Sequence, residues 1–326
     1  MLRYIGNRLL MLVPVLLGVI IIVFIFQQIA PGDPVVSILG TKYTQEQYDE
    51  VREELGIDDP ILQQFGRYVW KLVTKGDLGT SYSTNQPVRT EIATRFKYTF
   101  ILTICAVSLG MLIAIPLGVL AAVKQYTWCD SGILALSVCG SSIPTFWLSL
   151  MLISLFAVTL GLVPTYGIID KRGWILPIIV VVFESMSNLI RITRSSLLES
   201  IRQDYIRTAR SKGQKEYKVI ISHALRNSLI PIMSSIGNLI GVQLGGALVI
   251  ETIFSIPGIG KYALDAIYAR NYPAVMGSVV VLAFTFTCVN LIVDLLFVLV
   301  DPRMKANYIK VKKRQAKHPM AVGEVH

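Results

Sequence analysis

Long apolar runs alternate with polar segments along this chain. Residues 9–32, 98–123, 131–169, 227–250 and 271–293 hold no charged side chain, and 173–190 holds only Glu184. About 20 apolar residues in a helix cross a bilayer core. The pattern therefore predicts six transmembrane helices, near 9–30, 99–123, 133–160, 174–192, 229–250 and 276–300. The expected fold class is all-α, a polytopic membrane protein. Arg3 and Arg8 precede the first run, but that run exceeds a signal h-region and no small-residue cleavage pattern follows "QQIAPGDP". It is expected to stay as an anchor.

Between the runs, 31–98 is long enough for a small helical segment. "TQEQ" (Thr44–Gln47) fits a capping box, and Tyr48, Val51 and Leu55 give one apolar face before Gly56. Asp59 is read as the cap of a second helix with Pro60 at its first position and Gly76 at its end. Ile61, Leu62, Phe65, Tyr68, Val69 and Leu72 form its stripe. Val88, Ile92 and Phe96 suggest a third short helix. Such a segment is either a cap on the span ends or a ligand-binding module. In 251–273, Pro257-Gly258 predicts a tight turn, and apolar flanks suggest a partly re-entrant hairpin with Glu251, Phe254, Pro257 and Gly258 as its candidate residues. Four domain-level pieces result: 1–30, 31–98, 99–300 (with a loop at 193–228 and the hairpin at 251–273) and the basic tail 301–326.

Charge sets the expected orientation. Hydrophobic residues are 53% of 326 and charged ones 16%, with a net charge of +10. If the N-terminus is inside, the inner segments hold 19 Lys and Arg against six acids, and the outer ones hold 12 against 13. Basic residues concentrate on the cytoplasmic side of membrane proteins, so both termini are expected there. The basic balance then reports topology and gives no reason to expect nucleic acid. Cys105, Cys129, Cys139 and Cys288 lack CxxC spacing, and the three histidines are scattered. Neither a disulfide framework nor a metal site is suggested. "GIGKY" lacks the earlier glycine of a phosphate loop (Ser255 stands there), and Tyr262 stands where Ser or Thr should follow the lysine.

Within the spans, Glu184 with Asn188 and Arg191 at helical spacing is either a polar path, a proton relay or a bundle-fixing group. Gln243 on the fifth span joins Glu184 and Asn188 as a candidate path residue. Asp294 with Asn290 marks the sixth span and reads more simply as structural. Gly237, Gly241 and Gly245 permit close helix approach, within the bundle or at a subunit interface. Gly110, Ala114 and Gly118 do the same on the second span.

The most informative stretch is polar: "QDYIRTARSKGQKEYKVIISHALRNSLIPI", residues 203–232. Ile206, Ala209, Gly213, Tyr217, Ile220 and Ala224 recur at three or four residues, giving a small apolar face beside a basic one. Lipid binding would favour Trp, Phe or Leu anchors, so docking into a protein groove fits better. "DYIRTARSKG" and "HALRNSLIP" resemble the cytoplasmic coupling loop of ABC importer permeases of the dipeptide/oligopeptide (and nickel) subfamily. So do "RLLMLVPVLLGV", "APGDPV", "GDLGTSY", "SIPTFW", "E-IFSIPGIG" with "NYP", and "VDLLFVLVDPR". Against the broad importer pattern aligned on Gly213, the acid falls on Arg207, the alanines on Thr208 and Ala209, and the Leu-Pro pair on Leu225-Arg226. The peptide-type subfamily carries this variant.

That resemblance implies a type I importer permease with no catalytic residue and no cofactor of its own, ATP and Mg²⁺ residing on partners. It implies a homologous second permease, two cytoplasmic ATPases gripping a helix near 203–217, an extracytoplasmic binding protein, and a peptide substrate. The implied contact residues are Asp204, Tyr205, Arg207, Ala209, Arg210, Lys212, Gly213, His223 and Arg226. Nickel-chelate or glutathione-type substrates are the alternatives within the family. A stand-alone ion-coupled transporter using Glu184 and Asp294 is the rival outside it.

Overall fold

The computed structural model describes residues 2–29, 33–40 and 42–300. The tail 301–326 and the side chain of Asp294 lie outside the described residues. Helices make up the architecture, and among the described residues the only β-pairing is an isolated bridge, Thr80 to Pro87. Among the described residues five helices are long and apolar enough to cross a membrane, and a bent pair would bring the crossings to six if it forms one span.

The first span is α1 (Leu2–Ile29). α2 (Pro34–Leu39), α3 (Gln45–Leu55) and α4 (Ile61–Lys75) follow. The capping box forms as expected: Gln47 N–H donates to Thr44 Oγ1 at 3.3 Å, and Thr44 N–H to Gln47 Oε1 at 3.0 Å. The expected Asp59 cap does not form. Pro60 takes the cap position of α4, while Asp59 pairs with Arg67 inside the helix. The cap falls one residue later than expected, on Pro60, so Asp59 stands outside the cap position and its carboxylate is taken by Arg67.

No separate third short helix exists. Val88, Ile92 and Phe96 are the first turns of α5 (Val88–Val123), which is continuous with the second span. Its 36 residues reach about 54 Å, longer than a hydrocarbon core of about 30 Å. No residue between 88 and 99 interrupts the helix, so the change from amphipathic to apolar leaves no break.

The third span differs most from expectation. In place of one helix over 133–160, α6 (Trp128–Ser142) and α7 (Thr145–Leu152, continued by a wide turn over Ile153–Thr159) meet at 95°. The cause is Pro144. It forces Ile143 into extended backbone at φ −84°, ψ 121° and has no N–H to continue the ladder.

α8 (Ile175–Ile201) is the most enclosed span and runs beyond its expected end. Gly110 and Gly118 of α5 let α8 approach: a Cβ on Gly118 would lie 2.6 Å from Thr193 Cβ. α11 (Arg226–Gly246) packs on both α8 and α14 (Tyr272–Val300). A Cβ on Gly237 would meet Val293 at 2.5 Å, and one on Gly241 would meet the Phe286 ring at 2.5 Å. Those two glycines therefore serve packing inside the chain, while Gly245 has nothing within 4 Å.

Three apolar clusters order the molecule. The central one joins α5, α8 and α11 through Leu102, Leu189, Ile190 and Ile232. A second gathers Phe24, Leu78, Val88, Ile259 and Met276 where α5 begins. The third gathers Ala122, Leu197, Ile206, Val219 and Ala224 where α5 ends.

Candidate translocation face and coupling surface

Exposure separates two kinds of helix surface. Within 99–123 the open residues of α5 are apolar apart from Ser108, and they include Phe100, Ile101, Leu109, Leu112, Ile113 and Leu120. On α8 the open positions below Ile179 are Glu184, Arg191, Ser195 and Glu199, with Asn188 half-buried between them. They recur every three or four residues and so share one stripe. α11 adds Asn227, Pro231, Ser234, Asn238, Val242 and Gly245 in the same rhythm. An acid in lipid at mid-span costs about 2.5–3.5 kcal/mol on insertion scales. This stripe is therefore suited to water or to another subunit, and the α5 face to lipid.

The predicted path residues meet here. Gln243, which is buried, donates from Nε2 to Glu184 Oε2 at 3.3 Å, joining α11 to α8. Asn188 lies one turn along α8. Arg191 donates to Ser141 Oγ at 3.2 Å, which brings α6 to the same stripe.

The hairpin consists of α12 (Leu248–Ile253), a turn over 254–258, and α13 (Ile259–Tyr268). Glu251 is fully buried at its centre. Its carboxylate accepts Thr99 Oγ1–H at 2.5 Å and Lys261 N–H at 2.9 Å, and Thr99 Oγ1 in turn accepts Ile259 N–H at 2.9 Å. A carboxyl group thus sits on the N-terminus of α13, where it accepts N–H groups that the helix leaves unpaired. Gly258 lies directly against that carboxylate, so a side chain there would overlap it. The "PGIGK" turn folds around the chain's own Glu251. Phe254 is buried beside it, and Pro257 is exposed. Asn271 closes the hairpin against 81–83, donating to Ser81 Oγ at 2.7 Å and accepting Tyr82 N–H at 3.1 Å. Tyr262 reaches Glu91 of α5 at 2.5 Å.

The candidate coupling segment is built differently from the expected single helix over 203–217. α9 (Asp204–Ser211) is followed by Lys212 at its cap and then by Gly213, whose φ of +73° is left-handed and favours glycine. α10 (Glu216–Lys218) then continues through a wide turn, Val219–Leu225, into α11. Two contacts tie the turn: Arg210 Nη2 to Glu216 Oε1 at 2.6 Å, and His223 Nε2 with Gln214 Oε1 at 2.8 Å. The hydrogen bonds of the Arg210–Glu216 pair hold Arg210 above and Glu216 below their ordinary pKa values.

Ala209 and Gly213 consequently do not form one helical docking face. Ala209 and Ile206 are buried against Val219 and Ile220 of the same chain, while Gly213 is a turn residue. Tyr205, Arg207, Arg210, Lys212, Tyr217, Ile221 and Arg226 are exposed, as is the side chain of Asp204. Behind them lies a pair that the sequence pattern did not reveal. Arg194 of α8 grips Asp130 of α6 through two bonds of 2.7 Å, with Asp130 3% exposed. Sixty-four residues separate the partners, so no local pattern could pair them. Thr99 and Glu251, 152 apart, were hidden for the same reason.

Comparison with known proteins agrees with this geometry. Residues 114–306 match the family described as binding-protein-dependent transport system inner membrane component, and residues 1–103 match its N-terminal companion. A putative peptide transport system permease protein of Brucella abortus is 39% identical over 90% of this chain and 96% of its own length. The dipeptide transport system permease protein DppB of Escherichia coli is 39% identical over 94% and 99%. Among solved structures, an inward-facing form of the MetNI methionine ABC transporter matches with a TM-score of 0.55 at 18% identity, covering 64% of this chain and 96% of that one. That likeness establishes the fold.

Proposed function

Because this chain belongs to the family of binding-protein-dependent transport system inner membrane components, we propose that it is the membrane permease subunit of an ABC importer for peptides. It is not itself an enzyme: ATP hydrolysis in such importers belongs to separate subunits. The substrate class is supported by the two peptide permeases that it resembles along nearly their whole lengths. The stand-alone ion-coupled reading gains no support from this family membership.

The observation that carries the mechanism is the polar stripe of Glu184, Asn188, Arg191, Ser195, Ser234 and Asn238 along α8 and α11. In this reading it faces a homologous second permease across a water-filled path. Glu184, held by Gln243, lines that path and meets the charged ends of a peptide. Both termini lie in the cytoplasm, and the binding protein delivers substrate to the side bearing 31–98 and the 251–273 hairpin. There Glu251 and Asn271 keep the hairpin rigid against α5 and 81–83. On the opposite side, the exposed residues Asp204, Tyr205, Arg207, Lys212, Tyr217 and Arg226 meet an ATPase carrying ATP and Mg²⁺. Ala209 acts from within, joining α9 to the ends of α5 and α8. Movement of α9 then reaches both spans through Ala122 and Leu197.

The test uses the assembled importer in liposomes. A cysteine at Asn238 is expected to react with a water-soluble thiol reagent, at a rate that changes with ATP, and to block peptide uptake. A cysteine at Leu112 is expected to stay unmodified. An unreactive Asn238 position in every nucleotide state would overturn the assignment of the path. Uptake that continues without the ATPases would overturn the importer reading itself.

A further inference from the structure

α4 divides its surface into three sectors. Phe65, Tyr68 and Leu72 turn inward toward the cluster that contains Phe24 and Met276. The Phe65 ring meets Phe24 of α1 edge-on, with centroids 5.4 Å apart, and Gln28 of α1 donates to Gln64 at 3.2 Å. These contacts fix α4 beside the end of the first span. At 100° per residue, the next sector holds Leu62, Gly66, Trp70 and Val73. It is open: Leu62 is 85%, Trp70 70% and Val73 75% exposed. The third sector holds Gln63, Arg67, Lys71 and Thr74. α4 carries three cations and no acid.

An apolar arc wider than the protein covers, bordered by cations and containing a tryptophan, fits a helix lying in the plane of a membrane interface. Its surroundings point the same way. The adjoining turns of α1 expose Ile22, Ile25 and Phe26, so the open sector begins where the lipid-facing surface of a span ends. Neighbouring α3 has the opposite character, with Glu46, Asp49, Glu50, Glu53 and Glu54 and no large apolar residue exposed. An acid-rich helix is repelled by anionic headgroups, whereas the cations of α4 are drawn to them.

We propose that α4 is an interfacial anchor. Its Leu62–Trp70–Val73 sector lies at the headgroup–acyl boundary of the leaflet on the side bearing 31–98, with Lys71 turned toward phosphate and water and Arg67 held by Asp59. The anchor holds the outer segment level with the membrane, beside the hairpin clamped by Glu251. This inference rests on α1 being a membrane span and is independent of the substrate.

Nitroxide labels on the full chain, assembled with its partners in phosphatidylcholine–phosphatidylglycerol vesicles, test it. At Trp70→Cys and Val73→Cys, collision with oxygen is expected to exceed collision with a water-soluble nickel chelate several-fold. The ratio is expected to reverse at Thr74→Cys. Equal nickel access at 70, 73 and 74 would mean that the sector faces water and would overturn the anchor. Closure of 70 and 73 to both reagents would mean that protein covers the sector, and would overturn the anchor as well. Leu112→Cys on α5 serves as the lipid-facing reference; loss of the lipid signature there would overturn the span assignment together with the anchor.

Discussion

α4 and α9 are both short amphipathic helices, at opposite ends of the molecule. α5 begins in the cluster that seats α4 and ends in the cluster that seats α9. Both have an apolar side, yet they use it differently. α9 buries its apolar residues, Ile206 and Ala209, in its own chain and presents Tyr205, Arg207 and Arg210 outward. α4 seats only part of its apolar arc and leaves Leu62, Trp70 and Val73 open. Amphipathicity alone therefore does not say what a helix docks on. What matters is how much of the apolar arc the rest of the chain already covers.

The largest expected effect breaks α9 from within. Ala209→Glu places an uncompensated carboxylate among Ile206, Val219 and Ile220, at a cost of about 3–5 kcal/mol. Yield and thermal stability of the chain should fall even without ATPases. A fully stable variant that loses only ATPase association would show that Ala209 faces outward after all.

Next, Ile206→Ala should destabilise by about 2–5 kcal/mol, as a fully buried truncation does. Leu62→Ala on α4 should stay within about 0.5 kcal/mol, as at an exposed site. Denaturant or thermal unfolding of the two variants side by side reads the contrast directly. Equal losses would erase the distinction between a covered and an open arc.

The smallest effect is the pH response of the Arg210–Glu216 tie behind α9. Glu216 is held below its ordinary value, so its contribution is present above about 4.3, the usual glutamate pKa. It is lost as the pH falls through the lowered folded value. Both side chains are more than a third exposed, at 42% and 56%, so screening keeps the effect small. The Tm difference between wild type and Glu216→Gln should narrow between pH 7 and acid. A difference that stays constant would mean that the tie carries no charge-dependent stability.

Much of this protein was legible as one-dimensional pattern, because a bilayer demands long apolar helices with every backbone group paired internally. That requirement marked out the spans and the glycine sites of close approach, and local side-chain spacing gave the α3 capping box. Motifs in the coupling segment and hairpin carried the family. The break at Pro144 was not read from the chain, since Pro14, Pro116 and Pro231 sit inside continuous helices, and its 95° bend belongs to the tertiary structure. Tertiary structure alone decided three matters. It chose which face of α9 turns inward, because burial depends on Val219 and Ile220 folding back through Gly213. It folded the hairpin turn around Glu251 by bringing Thr99 of another span to it. It also left the Glu184 stripe open while covering Gln243. Each depends on partners distant in sequence, and helical periodicity reports a residue's direction on its own helix but not what will stand opposite it.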